Sequence, residues 1–382
     1  MERGTGQGWP NGTEKQCPLP SPVTCINYLQ QKPNIDQRFL NGAQVVYLKF
    51  ASKPAFTVLL LLLSGTGLAQ IAAGPVLEAA PIPPGLETVE FHSPAVDRRM
   101  KFDIVLPEAY YHSDERYPVL YLLHGVMQNY TIWGRNLGAA FYARNLNDMI
   151  LVLPDGGNSW FINYASSAEG QTNNWEDHII EDVIAYVDAN FRTLARREGR
   201  AISGLSMGGF AAFSLGLRHP EMFISIGSTS GALAYARTSA TAIRAGIDRK
   251  PAPRDPQRQA RIDAADDLIS AIIDIPGFSR QDERTPKGDV FETPEQAEAY
   301  DPFTIIYDVP RSQMPHIYMD SGTEDGLISL ARELAQILMT NDVPFDYMQT
   351  RGGHNSEYWR RSIGHMMTIQ HEVMRRALGN RP

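Results

Sequence analysis

The chain has 382 residues, a length that predicts one large domain or two small ones. Its composition, with 43% hydrophobic and 20% charged residues, is typical of a folded globular protein. The formal net charge of −8, without a basic cluster, argues against a nucleic-acid partner, because phosphate contacts need clustered Lys and Arg side chains. The charge indicates solubility and does not indicate a partner.

The first 69 residues differ from the rest of the chain. Residues 1–44 are polar and lack apolar periodicity, whereas an apolar run ending in five leucines at 59–63 follows two lysines and precedes small residues. This pattern is typical of a secretory signal peptide. Cleavage after Ala69, with Gly67 at position −3, would make Gln70 the first mature residue. We interpret residues 1–69 as an upstream extension plus signal peptide outside the fold.

The same segment predicts a secreted or periplasmic protein. Its apolar run is much shorter than the ~20 residues of a membrane-spanning helix, so no stable membrane span is expected after cleavage. A retained membrane anchor is the alternative. Cys17 and Cys25 both precede the predicted cleavage site, so the mature chain would rely on its core rather than on disulfide bonds.

From residue 86 onward, strand-like and helix-like segments alternate. Short continuous apolar runs suit strands that are buried on both faces. The predicted strands are 86–92, 101–106, 119–124, 149–153, 200–204, 223–228, 316–320 and 344–350. Helices with an apolar stripe are predicted at 176–191, 325–340 and 355–378. This alternation predicts an α/β fold, with a mostly parallel eight-stranded sheet flanked by helices and a ligand site beyond the carboxyl ends of the strands.

Residues 232–312 interrupt this alternation within the predicted domain 70–382. The segment is rich in Arg, Asp, Ala and Pro, and it combines a helical pattern at 260–273 with a loop-like pattern at 276–294. A connection this long in a compact domain is usually either functional or disordered. We interpret the segment as a cap-like insertion over the active site, with a solvated surface insertion as the alternative.

The strongest chemical motif is Gly204-Leu205-Ser206-Met207-Gly208, which lies between a predicted strand and a helical run. Such a strand-to-helix turn exposes a serine hydroxyl above the sheet, and the flanking glycines are needed where a Cβ would clash. A structural Gly-Ser turn is the alternative. The flanking strand and helix favour Ser206 as a nucleophile.

A serine hydroxyl needs a base to accept its proton. His354 lies on a Gly-rich turn after the last predicted strand, whereas the other histidines of the mature chain lie in helices, in strands or before the serine. Where a serine nucleophile lies on such a strand-to-helix turn, the acid lies between the serine and the histidine in chain order. Asp320 and Asp325 both fit that order, and we prefer Asp325 because it lies further out in the loop. Its alternative role is that of a helix N-cap.

The third predicted strand ends in Leu122-Leu123-His124-Gly125-Val126. In a fold with this nucleophile turn, the N–H group after the nucleophile and an N–H group from this loop form the oxyanion hole. Those donors would be Met207 and Val126. A plain turn at the end of the strand is the alternative interpretation of His124-Gly125.

Together these segments resemble the bacterial putative-esterase family of α/β-hydrolases, which includes tributyrin and feruloyl esterases, S-formylglutathione hydrolases and mycolyltransferases. The resemblance runs from about residue 86 to the C-terminus and is weakest at 232–312. It is carried by the motifs at 122–125, 155–160, 204–209, 322–325 and 352–354.

The resemblance implies Ser206 as nucleophile, Asp325 as acid and His354 as base, with no metal and no organic cofactor. It also implies that Asn158 and Trp160 line the substrate cleft, with His124 beside them, although Trp160 is equally compatible with the core. The expected partner is a small-molecule or carbohydrate ester. We therefore predict a secreted serine carboxylic-ester hydrolase acting through an acyl-enzyme. The alternatives are an acyltransferase to a sugar or lipid hydroxyl and a non-catalytic binding protein on a hydrolase scaffold.

Overall fold

The computed structural model describes residues 82–247 and 284–379, together with the backbone of three short strands nearer the N-terminus. The chain divides into two compact units, Met1–Val76 and Leu77–Pro382. In the first unit, β1 (Asp36–Leu40), β2 (Ala43–Tyr47) and β3 (Leu61–Leu62) pair antiparallel in that order. The predicted cleavage site lies outside the described residues, so the assignment of residues 1–69 stays a prediction.

The second unit is built around an eight-stranded sheet. Its strands are β4 (Leu86–Ser93), β5 (Arg98–Val105), β6 (Val119–Leu123), β7 (Ile150–Pro154), β8 (Arg200–Leu205), β9 (Ser225–Thr229), β10 (His316–Gly322) and β11 (Phe345–Thr350). Their order is β11-β10-β9-β8-β6-β7-β5-β4, and only the two pairs made by β5 are antiparallel. The prediction of a mostly parallel eight-stranded sheet is confirmed.

The helices of this unit connect the strands. They are α1 (Ala139–Leu146), α2 (Trp175–Asp177), α3 (Ile184–Asn190), α4 (Met207–Arg218), α5 (Tyr235–Arg244), α6 (Pro294–Glu298), α7 (Pro302–Ile305), α8 (Ile328–Thr340) and α9 (Ser356–Ala377). A π-helical turn, His178–Val183, joins α2 to α3, so the predicted helix 176–191 is found in three parts. Helix α5 was not predicted from the sequence, and its buried residues are three alanines and a serine. Among the described residues, no helix combines the length and apolarity needed to cross a membrane.

The core lies on both faces of the sheet. In β6, Val119, Tyr121 and Leu123 belong to one apolar cluster, which includes residues of α3, α4 and α8. Leu120 and Leu122 point the other way, into a cluster with α1 and α9. Because successive side chains of a strand alternate between faces, a strand covered by helices on both sides must be apolar throughout. This explains the continuous apolar run at 119–123.

The described ends of the segment 232–312 pack against the loop that follows β7. Residues 284–290 run beside this loop, with backbone hydrogen bonds from Ala165 to Val290 (3.2 Å) and from Ala168 to Lys287 (3.0 Å). At the other end, Tyr235 of α5 stacks on Trp160 of the loop. The predicted helix at 260–273 lies outside the described residues, so the interpretation as a cap stays a prediction.

Candidate active site

The three residues of the predicted triad lie at one edge of the sheet. Ser206 follows β8, Asp325 follows β10 and His354 follows β11, and the carboxyl ends of parallel strands share an edge. His354 Nε2 lies 3.0 Å from Ser206 Oγ, and His354 Nδ1 lies 3.0 Å from Asp325 Oδ2. The fold therefore joins three side chains that are distant in sequence into one hydrogen-bonded chain.

Ser206 lies on a tight and strained turn. Its φ of 53° and ψ of −114° are unusual for a residue with a side chain, a conformation that costs about 1–3 kcal/mol. A Cβ on Gly204 would lie 2.3 Å from the carbonyl of Gly208, and a Cβ on Gly208 would lie 2.2 Å from the oxygen of Leu123. Both glycines are therefore required by the close approach of the backbone at this turn.

Asp325 is buried and points both carboxylate oxygens at donors. Its Oδ2 faces the ring of His354, and its Oδ1 accepts a hydrogen bond from the N–H of Leu327 (2.8 Å). Burial alone would raise the pKa of the Asp325 carboxyl, but these two hydrogen bonds lower it below its ordinary value. Asp325 is therefore ionised at neutral pH. It is not the N-cap of α8, a position that Leu327 occupies.

Asp320 is also buried but does not contact His354. Its Oδ1 accepts hydrogen bonds from the hydroxyls of Thr229 (2.5 Å) and Tyr358 (2.8 Å). Burial raises the pKa of this carboxyl to about 6. Of the two acids that the chain order allowed, the structure brings Asp325 to the histidine and places Asp320 beneath the site.

His354 is placed to accept a proton from Ser206. Because Nδ1 faces the Asp325 carboxylate, that nitrogen carries the ring proton, and Nε2 is left with a lone pair toward the serine hydroxyl. The side chain is 34% exposed, and its ring meets the ring of Trp359 edge to face, with 5.1 Å between the centroids. The imidazole is thus oriented on one side and accessible to solvent on the other.

The two predicted oxyanion donors lie on segments that flank Ser206. Met207 is the first residue of α4, where a helix leaves its N–H groups without partners inside the helix. The loop that carries Val126 passes next to the serine, because a Cβ on Gly125 would lie 3.4 Å from Ser206 Cβ. This loop is tied internally by a hydrogen bond from the Gly125 N–H to Gln128 Oε1 (2.9 Å). The loop 124–128 is called the oxyanion loop below.

The residues predicted to line the cleft occupy different environments. His124 and Asn158 are buried, with 0% and 6% of their surface exposed, so neither forms an open wall. His124 instead donates to the Gly125 carbonyl and accepts from the Gly156 N–H, and Asn158 accepts from the Met127 N–H. The expectation that these two side chains line the cleft stays a prediction. Trp160 is half-buried and stacks on Tyr235, with 3.5 Å between ring centroids.

Two residues of the segment 232–312 that the sequence analysis did not single out, Arg284 and Thr285, contact this region. Arg284 pairs with Asp155, and Thr285 accepts a hydrogen bond from Asn158 (3.0 Å). Neither residue belongs to a motif, and more than 120 positions separate each from its partner. In the part of the chain that the structure describes, no three His, Cys, Asp or Glu side chains are grouped so that they could hold a metal ion.

Residues 93–368 match the protein family described as "Putative esterase". The chain belongs to this family. An esterase of Mycobacterium tuberculosis (strain H37Rv) is 28% identical over 291 residues, which cover 71% of this chain and 56% of that protein. The chain therefore spans little more than half of that relative's length. An acetyl esterase of Caldicellulosiruptor saccharolyticus is 25% identical over 250 residues, which cover 65% of this chain and 81% of that protein.

Solved structures place this member of the esterase family in the α/β-hydrolase fold. An S-formylglutathione hydrolase from Agrobacterium tumefaciens superposes with a TM-score of 0.56, covering 89% of this chain and 99% of that one. At 14% identity this likeness concerns the fold alone. The α/β-hydrolase fold and the family resemblance predicted from the sequence are both confirmed.

Proposed function

We propose that the chain is a serine carboxylic-ester hydrolase with Ser206 as its nucleophile. The observation that carries this proposal is the hydrogen-bonded chain from Ser206 through His354 to Asp325, which begins at a hydroxyl on a strained turn. Membership of the esterase family and the esterase names of the relatives support it.

In the first half of the reaction, Ser206 Oγ attacks the ester carbonyl while His354 Nε2 accepts the hydroxyl proton. The carbonyl oxygen becomes negative and is stabilised by the N–H groups of Val126 and Met207. When the tetrahedral intermediate collapses, the C–O bond to the alcohol breaks, and His354 returns the proton to the leaving oxygen. Asp325 holds the ring tautomer and stabilises the imidazolium.

In the second half, water replaces the alcohol. His354 accepts a proton from water as the water oxygen attacks the acyl-Ser206 carbonyl. The bond from the acyl carbon to Ser206 Oγ then breaks, His354 returns the proton to Oγ, and the acid is released. The partial exposure of His354 favours water as the acceptor. Product analysis with an added alcohol tests this point, since a new ester as the main product would indicate an acyltransferase.

We propose a small-molecule or carbohydrate ester as the substrate. The acetyl esterase among the relatives supports this class. The acyl and alcohol parts are to be determined with a panel of short-chain, long-chain, acetylated-xylan and feruloyl-sugar esters. The shape of the cleft determines which of them are accepted.

The decisive experiment replaces Ser206 with alanine and measures turnover of p-nitrophenyl acetate and butyrate. We expect kcat/KM to fall by at least about 10³-fold, because the nucleophile is lost. Ser203→Ala is the matched control, since Ser203 is a buried serine in β8, the strand that leads to Ser206, and takes no part in the proposed site. Unchanged turnover in Ser206→Ala, or failure of a fluorophosphonate to label Ser206, would contradict the proposal.

We also propose export followed by cleavage before Gln70. The lysines, apolar run and small residues before that position support it. N-terminal sequencing of the native protein is expected to begin at Gln70. Recovery of peptides from residues 1–44 in the purified native protein would contradict it.

A further inference from the structure

The orientation of the Val126 N–H is determined first by the peptide group that contains it. The carbonyl of Gly125 belongs to the same peptide and accepts hydrogen bonds from His124 Nδ1 (2.8 Å) and from the Gln128 N–H (3.2 Å). In a trans peptide the C=O and the N–H point in opposite directions. Holding the carbonyl therefore aims the Val126 N–H the other way.

The next peptide group of the oxyanion loop is held from outside the loop. The N–H of Met127 donates to Asn158 Oδ1 at 2.7 Å. Met127 has a φ of 65°, in the left-handed region that a residue with a side chain keeps only when its surroundings impose it. The hydrogen bond to Asn158 is a constraint of this kind. With the peptides on both sides of Val126 held, the direction of its N–H is defined.

Asn158 is itself held by the returning end of the segment 232–312. Its backbone N–H donates to the carbonyl of Arg284 (3.0 Å), and its side-chain Nδ2 donates to Thr285 Oγ1 (3.0 Å). Arg284 also forms an ion pair with Asp155, three residues before Asn158. The side chain of Asn158 thus links the segment 284–285 to the oxyanion loop.

We propose that Asn158 is a positioning residue for the oxyanion hole and that Arg284 and Thr285 hold it in place. This inference rests on the proposed esterase function. Asn158 does not touch the substrate but keeps Met127 in its strained conformation, and through it keeps the Val126 N–H aimed at the developing oxyanion. Transition-state stabilisation then depends on the end of the 232–312 segment.

The first test is Asn158→Ala, assayed with p-nitrophenyl butyrate. Removing an oxyanion donor outright costs about 10²–10³-fold in kcat, and a donor that is present but misaimed should cost less. We therefore expect kcat to fall by about 10- to 30-fold, with KM changed by less than about threefold. A trifluoromethyl ketone, which forms a tetrahedral adduct with a serine nucleophile, should lose affinity in proportion to kcat/KM.

The second test is Thr285→Val, which keeps the shape of the side chain and removes the hydroxyl that holds Asn158. We expect a fall in kcat of about threefold, because Asn158 keeps its bond to Met127 but loses part of its own support. The double variant should be no slower than Asn158→Ala alone, because both changes act through the same hydrogen bond to the loop. This milder variant also keeps the inference testable if Asn158→Ala folds poorly.

Asn163→Ala is the matched control. The side chain of Asn163 also accepts a hydrogen bond from a backbone N–H, that of Glu176 at 2.9 Å, but it does so at the start of α2. We expect it to lower the melting temperature and leave kcat unchanged. Equal kcat values for Asn158→Ala and Asn163→Ala, or a change in KM alone, would overturn the inference. An inactive wild-type protein, or activity that survives Ser206→Ala, would instead overturn the proposed function.

Discussion

The candidate active site and a second cluster around Glu176 both place a histidine beside a carboxylate, but they differ in what completes the pair. At the active site, His354 links Asp325 to the hydroxyl of Ser206. In the second cluster, buried Glu176 accepts hydrogen bonds from His219 Nε2 (2.6 Å), from Arg218 at 3.0 and 3.1 Å and from the hydroxyl of Tyr300.

The donors explain the difference in role. Both oxygens of Glu176 are occupied, and although burial opposes ionisation, the bonds from His219 and Arg218 lower its pKa to about 2. These contacts join α2, the end of α4 and the segment after α6, so the Glu176 cluster ties parts of the fold together. A histidine–carboxylate pair is therefore not enough to indicate catalysis. The group that completes the pair distinguishes the two clusters, and at the candidate active site this group is a hydroxyl on a strained turn.

Asp325→Asn should have the largest effect. The amide no longer stabilises the imidazolium or selects the ring tautomer of His354, so kcat/KM should fall by about 10³- to 10⁴-fold. The free energy of unfolding should change by less than about 1 kcal/mol, because the amide keeps an oxygen for the Leu327 N–H. Ester turnover and urea unfolding measure the two effects. A variant with full activity would remove Asp325 from the mechanism.

Glu176→Gln makes the same chemical change in the second cluster and should give the opposite result. Arg218 and His219 lose their charged partner, so the free energy of unfolding should fall by about 3 kcal/mol. Turnover per folded molecule should stay within about twofold of the wild type, because the cluster does not touch Ser206. Urea unfolding and active-site titration with a fluorophosphonate separate the two quantities. Loss of turnover without loss of stability would break the distinction between the clusters.

Asp320→Asn sharpens the comparison through pH, and its effect on stability should match that of Glu176→Gln only at the upper end of the pH range. Burial raises the Asp320 pKa to about 6. Below the pKa of the unfolded chain the carboxyl is protonated in both states, so it does not lower the free energy of unfolding. As the pH rises from there through about 6, the free energy of unfolding of the wild type falls, because the buried carboxyl holds its proton longer than the unfolded one. The amide keeps an acceptor for Thr229 and Tyr358 and does not ionise. Between about pH 3 and pH 8, the free energy of unfolding of the variant should therefore rise relative to that of the wild type by up to about 3 kcal/mol. Nearly half of this difference should develop above about pH 5. Urea unfolding across this pH range measures the difference. If the free energies of unfolding of the variant and the wild type change in parallel with pH, the raised pKa of Asp320 is contradicted.

Local signals were enough for the sheet and for the turn at Ser206. A strand covered on both faces has to be apolar throughout, and the run at 119–123 shows this without reference to any other part of the chain. At this turn a Cβ on Gly204 or Gly208 would lie only 2.2 to 2.3 Å from a neighbouring backbone atom, so both positions require glycine. Periodicity and steric exclusion act over a few residues, so the sequence by itself determined the fold class and the position of Ser206.

Only the tertiary structure decided between Asp320 and Asp325, because both fit the chain order and differ in which side chains surround them. It also brought Asn158 into contact with Met127 and Thr285, the contacts on which the proposed positioning role of Asn158 rests. Thr285 lies 127 positions further along the chain and outside any motif. Hydrogen bonds across such separations depend on where distant segments meet in space, and no local pattern of residue types specifies that meeting.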